Sequence, residues 1–208
     1  MKKIENILGN KSIAVIINDP RKYYWTAKIL KNLGAHFKSI IDEKMLLYYD
    51  IAICEKNVYS RFGEFSGKII NIDRCRNKIS FLVNLGRALL NRKKINELIV
   101  GVDPGKNIGF IVLVENIIVY SGIIRDRDIF LHKIRDLADC ENVLKIILKI
   151  GSHIDKETYE KLSKIIDRYE ERIEIKIVDE DRIIFNNKIL RDMFKNKDIL
   201  DALAIALT

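Results

Sequence analysis

The sequence predicts an α/β protein of two domains. A small parallel α/β domain spans residues 1–97. A second domain over residues 98–208 has the order β-β-β-α-β-α-β-α and a mixed five-stranded sheet. Three observations lead there. In the first half, short apolar runs of strand length alternate with helical stretches, the pattern of a parallel sheet. After Leu98, three apolar runs follow one another with connections too short for a parallel crossover, so they must form an antiparallel meander. Between the halves lies the polar, basic stretch Asn91-Arg92-Lys93-Lys94-Ile95-Asn96-Glu97.

In the first half, Ser12 to Asn18 (SIAVIIN) is a buried-type strand ended by Asp19-Pro20. Tyr23 to Leu33 reads as an amphipathic helix, with Trp25, Ile29, Leu30 and Leu33 near one face and Gly34 as its stop. Lys38 to Ile41, Asp50 to Cys54 and Lys68 to Ile72 are further short strands, and Lys78 to Leu90 is a second helix. In the second half the meander is Leu98 to Val102, Ile108 to Val114 and Ile117 to Ile124. A helix (Asp128 to Ala138), a strand (Asn142 to Ile150), a helix (Lys156 to Glu171), a strand (Arg172 to Val178) and a terminal helix (Lys197 to Leu207) complete the order.

Of 208 residues, 48% are apolar and 32% charged, which excludes a disordered chain. No apolar run approaches the roughly 18–20 residues of a membrane helix, so no membrane partner is expected. The segment Met1 to Asn6 is not followed by a signal-peptide core. Cys54, Cys75 and Cys140 are far apart and odd in number, so neither a disulfide framework nor a CxxC metal site is expected. These features predict a cytoplasmic protein. The net charge of +8 is unevenly placed. Residues 1–97 hold 19 Lys and Arg against 9 Asp and Glu, whereas residues 98–208 hold 18 against 20. A basic half of that kind suits a polyanion partner.

Asp103 stands at the end of the first meander strand, followed by Pro104-Gly105-Lys106-Asn107-Ile108-Gly109. Ligands commonly bind at sheet ends in α/β proteins, but Asp-Pro-Gly is also a turn sequence in its own right. Asp198 and Asp201, three apart, lie on one face of an otherwise apolar helix. Their repulsion and lost hydration call for a cation or a ligand, although Asp198 alone also suits a helix N-terminus. Asp179-Glu180-Asp181 follows a strand, and Glu180 joins this set only if that strand brings it beside Asp103. Carboxylates without His or Cys suit Mg²⁺ or Mn²⁺ rather than zinc, and such ions serve phosphodiester cleavage. In the basic half, Arg21, Lys22, Tyr23, Tyr24, Trp25 and Lys28 are either a stacking surface for single-stranded nucleic acid or partly core. Arg74, Arg76, Lys78, Arg87, Arg92, Lys93 and Lys94 form a more diffuse phosphate-binding set.

The run Ile99-Val100-Gly101-Val102-Asp103-Pro104-Gly105, with Gly109 and a second strand, resembles the opening motif of the RuvC and YqgF branch of RNase H-like nucleases. The terminal Asp198-Ile199-Leu200-Asp201-Ala202-Leu203-Ala204-Ile205-Ala206 resembles the closing helix of RuvC-type resolvases, with its two Asp three apart. Val178-Asp179-Glu180 is similar to the end of the fifth strand in YqgF proteins. The resemblance covers about residues 98–208. It implies an RNase H-like fold and a Holliday junction resolvase-like nuclease of DNA repair and recombination, working as a homodimer on branched or structured DNA or RNA. It also implies two Mg²⁺ (or Mn²⁺) ions held by Asp103, Glu180, Asp198 and Asp201. RuvC-type enzymes carry a catalytic Glu at the end of the fourth strand, where this chain has Lys149. Either Glu180 substitutes, or the site is incomplete and the chain is a non-catalytic nucleic-acid-binding protein. Lys106 and Lys149, with Arg92, Lys93 and Lys94, are the candidate nucleic-acid contacts. An actin-like ATPase is a third reading, disfavoured because such proteins duplicate the fold.

Overall fold

The computed structural model describes residues 1–62, 68–169, 171–179 and 192–208. The chain divides into two compact units, Met1–Ile95 and Asn96–Thr208. Among the described residues no helix is long and apolar enough to cross a membrane.

The first unit opens with a two-residue strand (Lys2–Lys3) and a short helix α1 (Ile4–Leu8), and is built on a four-stranded, wholly parallel sheet. Its strands are β1 (Ile13–Ile16), β2 (Phe37–Ser39), β3 (Ile51–Cys54) and β4 (Ile69–Asn71), in the order β2-β1-β3-β4. Every residue of β1, β3 and β4 is buried, as expected of parallel strands covered on both faces. On one face Ala14, Ile16, Ala52, Cys54 and Ile69 pack with Val58 of helix α3 (Lys56–Phe62).

Helix α2 (Pro20–Asn32) and helix α4 (Lys78–Leu89) meet through an edge-to-face contact of Trp25 with Phe81, centroids 5.5 Å apart. Asp19 accepts hydrogen bonds from Arg21 N at 2.8 Å and Lys22 N at 3.2 Å. It therefore caps α2, which starts three residues before the predicted Tyr23. Asn77 and Ser80 form a reciprocal capping box at the start of α4. Helix α4 is buried from Ile79 through Ala88. It therefore carries Arg87 into the core, only 2% exposed. The guanidinium donates to the Ile69 carbonyl (2.7 Å), the Arg92 carbonyl (2.5 Å) and the Asn84 Oδ1 (3.4 Å). Burial pushes its pKa down. Arg87 is thus not a surface cation, a correction to the basic set read from sequence.

The second unit has the order β-β-β-α-β-α-β-α over its described residues. Strands β5 (Ile95–Pro104), β6 (Ile108–Val114) and β7 (Ile117–Ile124) form the antiparallel meander. Helix α5 (Arg127–Ala138), β8 (Val143–Gly151), helix α6 (Lys156–Ile166), β9 (Ile173–Val178) and helix α7 (Lys197–Leu207) follow. These five strands lie in the order β7-β6-β5-β8-β9 within a six-stranded sheet, one strand more than the sequence predicts, and β9 runs parallel to β8. The sheet is mixed and covered on both faces. On one face Ile111 and Leu113 pack against Ala202, Leu203 and Ala206 of α7. On the other, Phe110 packs edge-on against Phe130 of α5, centroids 6.2 Å apart.

Besides the start of α2, two boundaries and two elements differ from expectation. Strand β5 begins at Ile95, not Leu98, because the polar stretch from Ile95 is already extended. Helix α6 stops at Ile166, not Glu171; Asp167 closes it, and the Arg172 N–H bonds back to Tyr169 O. Neither α3 nor the 3₁₀ turn Glu43–Tyr48 was predicted.

Replacing Arg87 by Met leaves the carbonyls of Ile69 and Arg92 without that donor inside the unit. Urea unfolding should show the variant less stable by about 2–4 kcal/mol. A change within error would mean that these acceptors find other donors.

Candidate functional site

Of the carboxylates singled out in the sequence, Asp198 and Asp201 stand in the first turns of helix α7, and Asp103 lies on the strand pair that this helix covers. Strand β5 pairs with β6 so that Gly101 faces Ile111 and Asp103 faces Gly109. Residues paired across a sheet share a face, and residues two apart along a strand share it too. Ile99, Gly101, Asp103, Gly109, Ile111 and Leu113 therefore point to one face, the face α7 covers.

The two glycines set how closely the helix approaches. A Cβ on Gly101 would overlap the Ala202 carbonyl oxygen and lie 2.7 Å from the Ala206 Cβ. A Cβ on Gly109 would overlap the Asp198 carbonyl oxygen and lie 3.3 Å from the Ala202 Cβ. The backbone of Asp198 thus rests directly on Gly109, the cross-strand neighbour of Asp103. Asn196 caps the helix, its Oδ1 accepting from Ile199 N at 3.2 Å, which fixes the turn bearing Asp198. Asp201 follows on the next turn. All three acids are half-buried.

Burial raises the Asp201 carboxyl pKa above its ordinary value; Lys197 pulls it back, and the neighbouring Asp198 charge adds to the rise. The donor set is all oxygen, which is the kind that fits a hard divalent cation. The three acids share this corner without closing into a ready cluster. Among the described residues, no three His, Cys, Asp or Glu side chains are grouped to hold a metal. Glu180, the fourth carboxylate, lies outside the described residues.

The basic candidates are dispersed. Lys106 is exposed in the turn after β5. Arg92, Lys93 and Lys94 are exposed in the first unit, just before its end. Lys149, on β8, donates from Nζ to the Ala206 carbonyl oxygen at 2.9 Å. Ala206 is eight residues beyond Asp198, so this contact lies about 12 Å along the helix axis from it. Burial, with Lys176 beside it, lowers the Lys149 pKa. Lys149 therefore holds the carboxyl end of α7 and does not stand among the acids at its amino end. In the first unit, Lys22 pairs with Asp73 at 2.5 Å, and Trp25 is half-buried against Phe81.

Two contributors were missed by sequence reasoning: Gly101 and Gly109, read only as turn or motif glycines, are the floor on which α7 rests. The signal was present in the small residues Ala202 and Ala206, four apart on the helix and facing them.

No protein-family model matches the chain, and no curated protein matches it.

Two outcomes follow. Gly109→Ala forces α7 off the strand where Asp198 rests, and thermal or urea unfolding should show a loss of about 1–3 kcal/mol or more. For Asp201, the folded pKa lies above the unfolded one. Its favourable contribution is complete below the unfolded value and disappears as pH rises through the folded one. Asp201→Asn removes that loss, so the variant should be more stable than wild type at pH 7 and show no such advantage at pH 3. Denaturation midpoints at the two pH values check this.

Proposed function

We propose that the second unit is an RNase H-like nuclease domain, and that the protein hydrolyses phosphodiester bonds in structured or branched nucleic acid in the manner of a Holliday junction resolvase. The observation that carries the reading is the seating of Asp198 on Gly109, directly across the strand pair from Asp103. It brings the two motifs of the resemblance, about 95 residues apart in sequence, to one corner. The β-β-β-α-β-α-β-α order and the mixed sheet support it.

In this reading Asp103, Asp198 and Asp201 hold Mg²⁺ or Mn²⁺, with Glu180 as the fourth ligand. The bound ions would activate water and stabilise the departing 3′ oxygen. Asp201 must lose its proton to act as a ligand, and its raised pKa makes that step pH-dependent in the acid range. Lys149 supports the site only by anchoring the far end of α7. The first unit, with its excess of cations, contributes the sequence-independent attraction to phosphate, through Arg92, Lys93 and Lys94 among others. Three buried cysteines without disulfides support a reducing, cytoplasmic setting. The roles in DNA repair and recombination, and the homodimer, belong to this proposal by resemblance.

A second reading is a nucleic-acid-binding protein that does not cut. The Lys149 side chain, engaged with a helix carbonyl where the resemblance calls for an acid, favours it.

With Mg²⁺, wild type should cleave at least one of a branched, duplex, single-stranded or hybrid substrate, and EDTA should stop it. Asp103→Asn should reduce the rate by a factor of at least ~10², with an unchanged circular dichroism spectrum. Cleavage of none of these substrates by wild type, with either Mg²⁺ or Mn²⁺, would leave the binding reading.

A further inference from the structure

At the carboxyl edge of the parallel sheet in the first unit lies a cleft of about 470 Å³. Two segments line it. Arg21, Lys22 and Trp25 come from the first turns of α2, after β1; Ile72, Asp73, Cys75 and Arg76 follow β4. In the strand order β2-β1-β3-β4 the lining comes from the segments after β1 and β4, so the cleft opens on the carboxyl side of the sheet, the side on which α/β sheets take ligands.

The lining has three cations against one carboxylate, and that carboxylate is already engaged. Asp73 accepts from Lys22 Nζ at 2.5 Å and from Lys56 N at 2.7 Å. Arg21 and Arg76 are exposed at the rim. Trp25 packs edge-on against Phe81 and stays partly exposed, and Ile72 and Cys75 are buried beneath. The walls therefore combine an aromatic surface, an apolar floor and two exposed guanidinium groups. The volume falls within the range of small-ligand pockets and above the size of one base. Neighbouring loops brace the cleft: the Glu55 carboxylate accepts from Asn18 N at 2.9 Å and from Asp19 N at 3.4 Å.

We propose that this cleft receives an unpaired nucleotide of a nucleic-acid strand, the base against Trp25 and its phosphate between Arg21 and Arg76. Stacking on an aromatic side chain tolerates any base, and guanidinium groups pair with phosphate oxygens by parallel hydrogen bonds. The site gives the first unit a defined grip on single strands, such as those at a junction or flap, in addition to diffuse attraction. The inference rests on the proposed function only in taking nucleic acid as the partner.

Trp25 is the only tryptophan of the chain, so its fluorescence reports this cleft alone. The full chain, in EDTA to prevent cutting, is titrated with a single-stranded oligothymidylate of about 12 nucleotides, within the site sizes known for single-strand binders. A duplex of equal length and thymidine monophosphate are titrated in parallel. The oligonucleotide should quench Trp25 saturably, and Arg21→Ala and Arg76→Ala should each weaken it at least ~5-fold. Trp25→Phe keeps an aromatic ring against Phe81 and should weaken binding of a labelled oligonucleotide, measured by anisotropy, at an unchanged melting midpoint. Absence of quenching, or quenching unaltered in both arginine variants, overturns the proposal. Equal saturation by the monophosphate overturns it in favour of a free-nucleotide pocket, and stronger quenching by the duplex overturns it in favour of groove contact. A protein that cuts nucleic acid with Trp25 silent retains the nuclease and loses this site. One that quenches and cuts nothing retains this site and loses the nuclease.

Discussion

The close approach of helix α7 to strands β5 and β6 is the constraint on which the second unit depends. Asp198, Ala202 and Ala206 stand four apart and make one row along the helix. That row lies over Gly109 and Gly101, the positions where the sheet has no side chain. Two methyl groups meet two glycines, so helix and sheet backbones come nearly into contact. Apolar packing of Leu203 with Ile111, Leu113 and Ile118 presses the helix down. The Lys149 ammonium holds its last turn through the Ala206 carbonyl. The place of Asp198 beside Asp103 is therefore a product of packing and backbone sterics, and no attraction between the acids is needed.

The first unit solves a related problem with opposite chemistry. Its strands end in acids and amides: Asp19 after β1, Glu55 after β3, Asn71 and Asp73 at β4. Each acid is given to backbone N–H groups or to Lys22. These bonds stitch the loops at the carboxyl edge to one another, so the edge is shaped before any ligand arrives. They also favour the ionised form of Asp19 and Asp73, whose carboxyl pKa values are lowered. Arg21 and Arg76 are exposed at the rim of this edge. Inside the unit, Arg87 plays the same role from a helix, donating to carbonyls of β4 and of the chain after α4.

What was legible in the sequence followed how local the determining signal was. The strands Ile108–Val114 and Ile117–Ile124 and the helix Lys197–Leu207 are as read, because a two-residue turn and an Asn cap mark their ends within a few residues. The start of α2 is hidden in the sequence because Asp19-Pro20 is at once the end of a strand and the cap and first residue of a helix. Helix α3 escaped notice because Lys56–Phe62 is short and has too few apolar residues to show a period. In the site, the pair Asp198 and Asp201 was visible from spacing alone. The link to Asp103 was visible only through resemblance, because it runs through cross-strand register and the glycine opposite. Lys149 could not be read correctly at all: its partner carbonyl is 57 residues away and belongs to the backbone, which leaves no trace in side-chain pattern.

Asp201 is the position where structure and stability pull apart most plainly. The surrounding helix is apolar, its amino-terminal cap is already supplied by Asn196, and Asp198 already occupies the first turn, where an acid favours the helix dipole. A second acid one turn later gains less from the dipole and loses hydration. Lys197 compensates only in part, because the Asp201 pKa still ends above its ordinary value. An uncharged Asn would fill the same space without that penalty. A carboxylate kept under net destabilising conditions next to another carboxylate is an arrangement a hard cation relieves. The same physics makes this corner less stable with carboxylates than it would be with neutral side chains, so in the proposed function binding of a divalent ion and stability of α7 are thermodynamically linked.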